Sequence, residues 1–223
     1  MLESVLFDLD GTLVDTAPDF IVAVNQLRKT HHLDDLPANK IAAQVSNGSY
    51  ALTKYAFDID PEHSEFAALR QALLDNYLNC LGQHATLYAG LNSLLLALEQ
   101  SQKPWGVVTN KPLLYAQPLM EKLGLANRCQ VLICPEHVSK PKPDPEALVK
   151  AAEQLNCKLA ACAYIGDHDR DIAAGRAAGM KTIAAAYGYI DHTQNVDHWQ
   201  ADIIAKQPQD IHASLEQLFS CTI

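Results

Sequence analysis

From about Gly90 onward, the chain alternates between short apolar runs and amphipathic helical patterns. The runs have the length of buried strands, and the segments between them repeat apolar residues every three or four positions. The predicted strands are 105–109, 131–134, 161–165 and 181–186, and the predicted helices are 91–100, 112–123, 145–155, 169–178 and 210–219. Such alternation predicts an α/β fold in which helices cover both faces of a parallel sheet. The apolar run Val5-Leu6-Phe7 is expected to join that sheet.

The segment between residues 16 and 85 interrupts this alternation, because its pattern is helical and contains no convincing strand. An apolar stripe with spacings of three or four residues runs from Phe66 to Leu81. The stretch Asp15-Thr16-Ala17-Pro18 predicts a hinge and a helix start, with a capping side chain before a first-turn proline. We therefore expect a core of residues 1–15 and 86–223, with residues 16–85 inserted as a helical cap over the ligand-binding end of the sheet.

Composition narrows the class of protein. The formal net charge of −9 and the absence of a basic patch argue against binding to nucleic acid. No apolar stretch is long enough to span a bilayer, and no basic region precedes the first apolar run, as a signal peptide would require. The six cysteines are scattered without a Cys-x-x-Cys pair, which argues against zinc and favours free thiols. These features favour a cytoplasmic protein without membrane or nucleic-acid partners.

Four polar motifs follow one another in the chain, and three of them directly follow an apolar run. They are Asp8-Leu9-Asp10-Gly11-Thr12, Val107-Val108-Thr109-Asn110, Lys142-Pro143-Asp144-Pro145, and Tyr164-Ile165-Gly166-Asp167 with Asp171 four residues later. Each motif alone is compatible with a polar turn, a helix cap or an exposed loop. Together they bring carboxylates, a hydroxyl and a cation to the ends of neighbouring strands, where open α/β sheets bind ligands.

These groups suit the transfer of a phosphoryl group. One carboxylate of the pair Asp8 and Asp10 could attack phosphorus while the other handles a proton. An anionic nucleophile is repelled by a phosphate monoester, so positive charge is needed from Lys142 and from Mg²⁺, which prefers oxygen ligands such as Asp167. Thr109 and the backbone around Asn110 could hold the transferred oxygens.

The motif set resembles the haloacid dehalogenase superfamily of phosphohydrolases over essentially the whole chain. This resemblance implies a Rossmann-like core with a movable cap, here of the helical type inserted between the first two motifs. It implies that Asp8 is the nucleophile and Asp10 the general acid and base, that Thr109 binds phosphate, and that Lys142 stabilises the aspartyl-phosphate. It also implies a Mg²⁺ site formed by Asp8, the backbone carbonyl of Asp10, and Asp167, with Asp171 behind these ligands.

The second aspartate, Asp10, separates this chain from the metal-independent dehalogenase branch and argues for phosphate esters. Residues 8–18, Val45-Ser46-Asn47-Gly48 and residues 142–153 resemble phosphoglycolate phosphatases. Residues 104–112, 169–179, 195–202 and Tyr187-Gly188-Tyr189-Ile190 are similar to bacterial N-acetylmuramic acid 6-phosphate phosphatases of cell-wall recycling. The cap has Gly48-Ser49-Tyr50 where that branch commonly has Gly-Ala.

Several assignments stay open at this point. Lys140 and Lys142 both occur in a Lys-Pro-x-Pro pattern, and the spacing to the following helix favours Lys142. Asn47 and Ser49 are the leading cap candidates for substrate binding, with Tyr50 and Lys54 as further ones, although Tyr50 also fits a core position. Arg28 and Arg70 fit ordinary polar helix faces, and His168 and Arg170 fit an exposed helix start.

Three functions are compatible with these residues. The leading hypothesis is a Mg²⁺-dependent phosphatase that acts on a small phosphate ester, as a monomer or weak homodimer. A sugar phosphomutase would use the same core and cap but exclude water from the intermediate. A non-catalytic binding protein is disfavoured by the complete set of motif residues.

Overall fold

The computed structural model describes residues 1–191 and 194–223. Its strands, numbered in chain order, are β1 (Ser4–Phe7), β2 (Val14–Asp15), β3 (Thr86–Leu87), β4 (Trp105–Val108), β5 (Val131–Ile133), β6 (Cys162–Gly166), β7 (Lys181–Ala185) and β8 (Ile203–Ala205). Six of them form one parallel sheet in the order β5-β4-β1-β6-β7-β8. The prediction of an α/β fold with a parallel sheet is confirmed.

The sheet places β1 between β4 and β6, and this arrangement positions the motifs. Phe7 is aligned with Val107 on one side and with Ile165 on the other. The residues that follow these three strands therefore leave the sheet side by side, at one edge. Since the strands are parallel, that edge is the carboxyl end of all three, where ligands of open α/β sheets bind.

The helices are α1 (Ala17–Thr30), α2 (Ala38–Ala42), α3 (Gly48–Phe57), α4 (Phe66–Cys80), α5 (Leu91–Gln100), α6 (Leu113–Lys122), α7 (Glu146–Gln154), α8 (Asp169–Ala177) and α9 (Asp210–Phe219). Helices α5 and α9 have the predicted bounds, and α6, α7 and α8 differ from them by one residue at one or both ends. Pro112 and Pro145 precede their helices as N-cap residues and do not lie in the first turn.

Three short strands were not expected from the sequence. Strand β8 has three residues, and its Ile-Ile-Ala run is too short to be distinguished from a loop by periodicity. Strands β2 and β3 have two residues each and pair antiparallel, with Val14 opposite Leu87 and Asp15 opposite Thr86. This pairing joins residues some seventy positions apart, so no local pattern could have predicted it.

Residues 16–85 contain helices α1 to α4 and no strand among the described residues. Helices α1 and α4 pack together, and the rings of Phe20 and Tyr77 stack in parallel with their centroids 3.8 Å apart. Pro18 lies in the first turn of α1, as predicted. The Asp15 carboxylate accepts a hydrogen bond from the Ala17 N–H at 3.3 Å, whereas the side chain of Thr16, the N-cap residue, makes no capping hydrogen bond. The Thr16 hydroxyl instead donates to a carboxylate oxygen of Asp10 at 2.6 Å.

Within the described part of the chain, no helix has the length and apolarity needed to cross a membrane. All six cysteines are free thiols, and Cys134 and Cys162 are buried, as their apolar surroundings predicted. Burial raises the pKa of the Cys134 thiol to about 12 and that of Cys162 to about 11. Both thiols therefore stay protonated near neutral pH, which fits a packing role and argues against redox or metal chemistry.

Candidate active site

The buried lysine of the third motif connects the first and fourth motifs. The Nζ atom of Lys142 lies 2.8 Å from Oδ1 of Asp8 and 2.7 Å from Oδ1 of Asp171. It also lies within hydrogen-bond distance of the Val108 carbonyl and the Tyr164 hydroxyl. Burial opposes the charge of Lys142, but the carboxylates of Asp171 and Asp8 outweigh it, and the net effect raises the lysine pKa. Lys142 is therefore a fixed cation next to Asp8.

Lys140, the alternative lysine, is exposed. The only hydrogen bond recorded for it in the described chain joins its backbone N–H to Glu146. The geometry therefore favours Lys142, in agreement with the spacing argument.

Three carboxylates meet beside Lys142 at the ends of β1 and β6. One oxygen each from Asp8, Asp167 and Asp171 lies within 4.8 Å of the other two, and all three residues are buried. The side chain of Asp10 is not part of this group among the described residues. Oxygen ligands in such a cluster match the preferences of Mg²⁺.

Two glycines leave room for the side chain of Asp167 in the acidic cluster. Gly11 has a φ of +77°, and a Cβ atom built there would lie 2.1 Å from Oδ2 of Asp167. A Cβ atom at Gly188 would lie 2.3 Å from Cβ of Asp167. The side chain of Asp167 therefore occupies a space between two backbone segments that only glycine leaves open.

Burying three carboxylates together is electrostatically unfavourable, even with Lys142 beside them. Burial, followed by the charges of Asp8 and Asp171, raises the pKa of Asp167 to about 8. Burial also raises the pKa of Asp171, although Lys142 opposes this effect. A divalent cation would favour the ionised carboxylates, so these residues fit a bound metal ion.

Asp10 faces a second buried lysine that the sequence interpretation missed. Nζ of Lys111 lies 2.9 Å from Oδ1 and 3.2 Å from Oδ2 of Asp10. The same Nζ lies over the rings of Tyr77 and Phe20, 4.7 Å and 5.1 Å from their centroids. Lys111 directly follows Asn110 at the carboxyl end of β4. Its position one residue past the Thr109-Asn110 motif was the available signal.

Thr109 and Asn110 both line the cavity above these carboxylates. The Thr109 hydroxyl accepts a hydrogen bond from the Lys111 backbone N–H at 3.1 Å. The Asn110 side chain is engaged with the backbone of Lys142, to which it donates at 3.0 Å and from which it accepts at 3.1 Å. Asn110 thus positions Lys142, and a contact between Asn110 and phosphate would come from its backbone.

The cap touches the acidic motif through the turn before α3. The Ser46 hydroxyl donates to Oδ2 of Asp167 at 2.9 Å, and the guanidinium of Arg170 donates to the Ser46 carbonyl. Asn47 approaches His168, with 3.4 Å between Oδ1 and Nε2. The cap is therefore closed over the carboxylates. Ser46 was missed as a site residue, and Arg170, which also lines the cavity, is more than an exposed helix start.

A cavity of about 330 Å³ lies between cap and core, and Asp8, Asp10, Thr109, Asn110 and Lys142 line its core side. The cap side includes the predicted Asn47 and Ser49, together with Tyr50, Arg70, Leu74 and Tyr77. Its volume is at the lower end of the range of about 300–1,000 Å³ for small-molecule sites. The structure thus brings all predicted core residues except Asp167 and Asp171 to the cavity surface, and these two lie directly behind Asp8.

Three cap expectations need correction. Tyr50 is not a core residue, because it is 57% exposed at the cavity rim. Arg70 does not lie on a plain polar face, because it lines the cavity. Lys54 lies outside the cavity and forms an exposed ion pair with Asp60. In each case the side-chain direction depends on how α3 and α4 pack, which helical periodicity does not specify.

Comparison with known proteins agrees with this fold and identifies the family. Residues 5–185 match the family model of haloacid dehalogenase-like hydrolases. The chain therefore belongs to the haloacid dehalogenase-like hydrolase family. It is 44% identical to N-acetylmuramic acid 6-phosphate phosphatase of Pseudomonas aeruginosa over 210 residues, which covers 94% of this chain and 93% of that protein.

Two further relatives point to the same enzyme class. Phosphoglycolate phosphatase of Xanthomonas campestris is 40% identical over 212 residues, or 93% of this chain and 94% of that one. A crystal structure of a predicted phosphoglycolate phosphatase from Haemophilus somnus superimposes with a TM-score of 0.82 at 25% identity, covering 94% and 96% of the two chains. The prediction that the chain is a phosphatase is confirmed.

Proposed function

We propose that this phosphatase is Mg²⁺-dependent and hydrolyses a small phosphorylated acid through an aspartyl-phosphate on Asp8. The substrate is N-acetylmuramic acid 6-phosphate or phosphoglycolate, and the protein acts in the cytoplasm. The observation that carries the proposal is the contact between Asp8 and Lys142 beside the three-carboxylate cluster, at the core side of the cavity.

The positions of the side chains support the following mechanism. Asp8 attacks phosphorus, and Lys142 offsets the negative charge that accumulates on the carboxylate and the phosphoryl oxygens. Thr109 and the backbone at Asn110 orient these oxygens. Asp10 donates a proton to the leaving alcohol and then takes one from the water that hydrolyses the aspartyl-phosphate. Its contacts with Lys111 and Thr16 hold the carboxylate in place for both steps.

The metal ion would be held by Asp8, Asp167 and the backbone carbonyl of Asp10, with Asp171 behind them. When bound, Mg²⁺ supplies positive charge that lets anionic groups approach one another. The relatives named above support phosphoglycolate and N-acetylmuramic acid 6-phosphate as candidate substrates.

A phosphate-release assay tests the proposal. Wild-type protein is offered both candidate substrates and a generic aryl phosphate, with Mg²⁺, with chelator, and with Mg²⁺ restored. Asp8→Asn should lose more than about 10³-fold in kcat, because an amide is a poor nucleophile. Asp35→Asn, which alters an exposed carboxylate paired with Lys29, is the matched control and should behave as wild type.

Two outcomes would contradict the proposal. Full activity of Asp8→Asn or of the chelated protein would exclude the mechanism. Conversion of a hexose 1-phosphate into an isomer without phosphate release would indicate a phosphomutase.

A further inference from the structure

Arg70 is a cationic side chain of the cavity without a carboxylate partner in residues 1–191 and 194–223. Building on the proposed function, we propose that Arg70 binds the carboxylate of the substrate, at the end away from the phosphate. The cap would then select a phosphorylated sugar acid over both neutral sugar phosphates and two-carbon acids.

Arg70 is held in a fixed orientation by two neighbours from α3. Its Nε donates to the Ser49 hydroxyl at 2.8 Å, and its guanidinium carbon lies 4.3 Å from the centroid of the Tyr50 ring. The Tyr50 ring also stacks on Phe66 at 5.6 Å. Both Nη groups have no hydrogen-bond acceptor among the described residues. A planar guanidinium fixed in this way is suited to a bidentate contact with a carboxylate.

The other cations that line the cavity are already engaged. Lys142 pairs with Asp8 and Asp171, Lys111 pairs with Asp10, and Arg170 donates to the Ser46 carbonyl. These three lie against the core carboxylates, where the phosphate would bind. Arg70 is on cap helix α4 and adds a separate positive charge to the same cavity. Two cationic regions at different places favour a substrate with two anionic groups.

The position of Arg70 along α4 sets the size of that substrate. Leu74 and Tyr77 follow Arg70 by four and seven residues, so the three side chains lie near one face of the helix. Tyr77 contacts Lys111, which pairs with Asp10, and therefore marks the end near the reaction. Seven residues correspond to about 10 Å along a helix axis.

A substrate that reaches both ends needs a spacer between its charges. In phosphoglycolate only three bonds separate phosphorus from the carboxyl carbon. In N-acetylmuramic acid 6-phosphate the sugar ring and the lactyl ether lie between them. The cavity wall also includes the aromatic Tyr115 and the apolar Leu74, which suit contact with a sugar ring. The geometry therefore favours the sugar acid.

The test compares two substrates that differ only in the acid. N-acetylmuramic acid 6-phosphate carries the lactyl carboxylate, and N-acetylglucosamine 6-phosphate has the same ring and phosphate without it. We expect Arg70→Gln to lower kcat/KM for the acid by about 10- to 100-fold, mainly through KM, because a charged hydrogen-bond pair is lost. The rate with N-acetylglucosamine 6-phosphate or a generic aryl phosphate should change by less than about threefold.

Two further variants separate recognition from folding. Arg70→Lys keeps the charge without the planar fork and should recover part of the loss on the acid. Lys54→Gln removes an exposed cap cation outside the cavity and should leave the ratio between the two sugars unchanged.

Equal losses of Arg70→Gln on both sugars would overturn the proposal, because they would indicate a purely structural role in the cap. A wild-type enzyme that does not prefer the acid-bearing sugar would also overturn it, while the proposed phosphatase mechanism would stand on the aryl phosphate result. Loss of the mechanism itself would be recognised separately, by an active Asp8→Asn variant.

Discussion

Lys142 places a buried positive charge between two members of the acidic cluster, the predicted nucleophile Asp8 and Asp171. Its Nζ contacts Asp8 and Asp171 at once, and Tyr164 and the Val108 carbonyl complete its surroundings. Burying an ammonium group is costly unless anions compensate it, and here two carboxylates do so. In the proposed mechanism, the same charge would be available to a phosphoryl group on Asp8.

Replacing the two candidate lysines separately tests this assignment. Lys142→Ala should lower kcat on a generic phosphomonoester by at least about 10²-fold, since a preorganised charge next to the transferred group is lost. Lys140→Ala should change kcat by less than about twofold, because Lys140 is exposed. Steady-state kinetics at saturating Mg²⁺, with circular dichroism to check folding, give the comparison. The reverse order of losses would move the role to Lys140.

The sequence could predict the core residues of the site because a parallel sheet imposes their convergence. Asp8, Thr109 and Asp167 each follow an apolar run, and parallel strands bring such residues to one edge. Ser46, Lys111 and Arg70 were missed or misplaced for a different reason. Ser46 and Arg70 reach the site only through the packing of the cap on the core, which leaves no periodic signal. Lys111 had a positional signal, but a lysine after a strand is usually exposed.

At the scale of elements, the cap is joined to the core through two adjacent strands. Strands β2 and β3 pair directly, and the chain enters α1 immediately after β2. The Asp19 carboxylate, fully buried in α1, accepts hydrogen bonds from the backbone N–H groups of Gly82 at 2.6 Å and His84 at 2.8 Å. Where the chain enters α1, the Tyr189 hydroxyl donates to Asp15 at 2.5 Å and accepts from the Ala17 N–H at 2.7 Å. The connection that leaves the cap is therefore tied to helix α1, and the connection that enters it is tied to Tyr189 of the core.

Removing the Asp19 carboxylate should weaken the connection between α4 and β3. Asp19→Ala leaves two backbone donors without their anionic acceptor, and we expect the free energy of unfolding to fall by about 2 kcal/mol or more. Urea denaturation monitored by circular dichroism measures the change. Asp34→Ala, at an exposed position of the same cap, is the matched control. Equal stability of both variants would show that the Asp19 contacts contribute little.

At the scale of the whole molecule, we expect the stability of the protein to be coupled to binding of the proposed metal ion. Folding buries Asp8, Asp167 and Asp171 together, and among residues 1–191 and 194–223 only Lys142 contacts two of them as a counter-charge. Asp167, with its pKa raised to about 8, keeps a proton in the folded state that the unfolded chain releases near pH 4. Its contribution to the free energy of unfolding is therefore complete at low pH and is lost as the pH rises toward 8.

We accordingly expect the rise in Tm caused by Mg²⁺ to be larger at pH 8 than at pH 6. At pH 6 the cation must displace the proton on Asp167, whereas near pH 8 much of that proton has already dissociated. Thermal unfolding in chelator and in Mg²⁺ at the two pH values measures this. Asp167→Asn removes both the titrating group and one ligand, so the pH slope without metal and the Mg²⁺ shift should both shrink. A larger Mg²⁺ effect at pH 6 than at pH 8 would contradict the coupling.

The pairing of β2 with β3 has an evolutionary consequence. The chain leaves and rejoins the sheet domain at neighbouring points, so the two ends of the inserted segment lie side by side. A gene fragment encoding another cap could be exchanged at this junction, and the aspartates that follow β1 and β6 would keep their places. Selectivity could then diversify by recombination while the reaction was inherited unchanged.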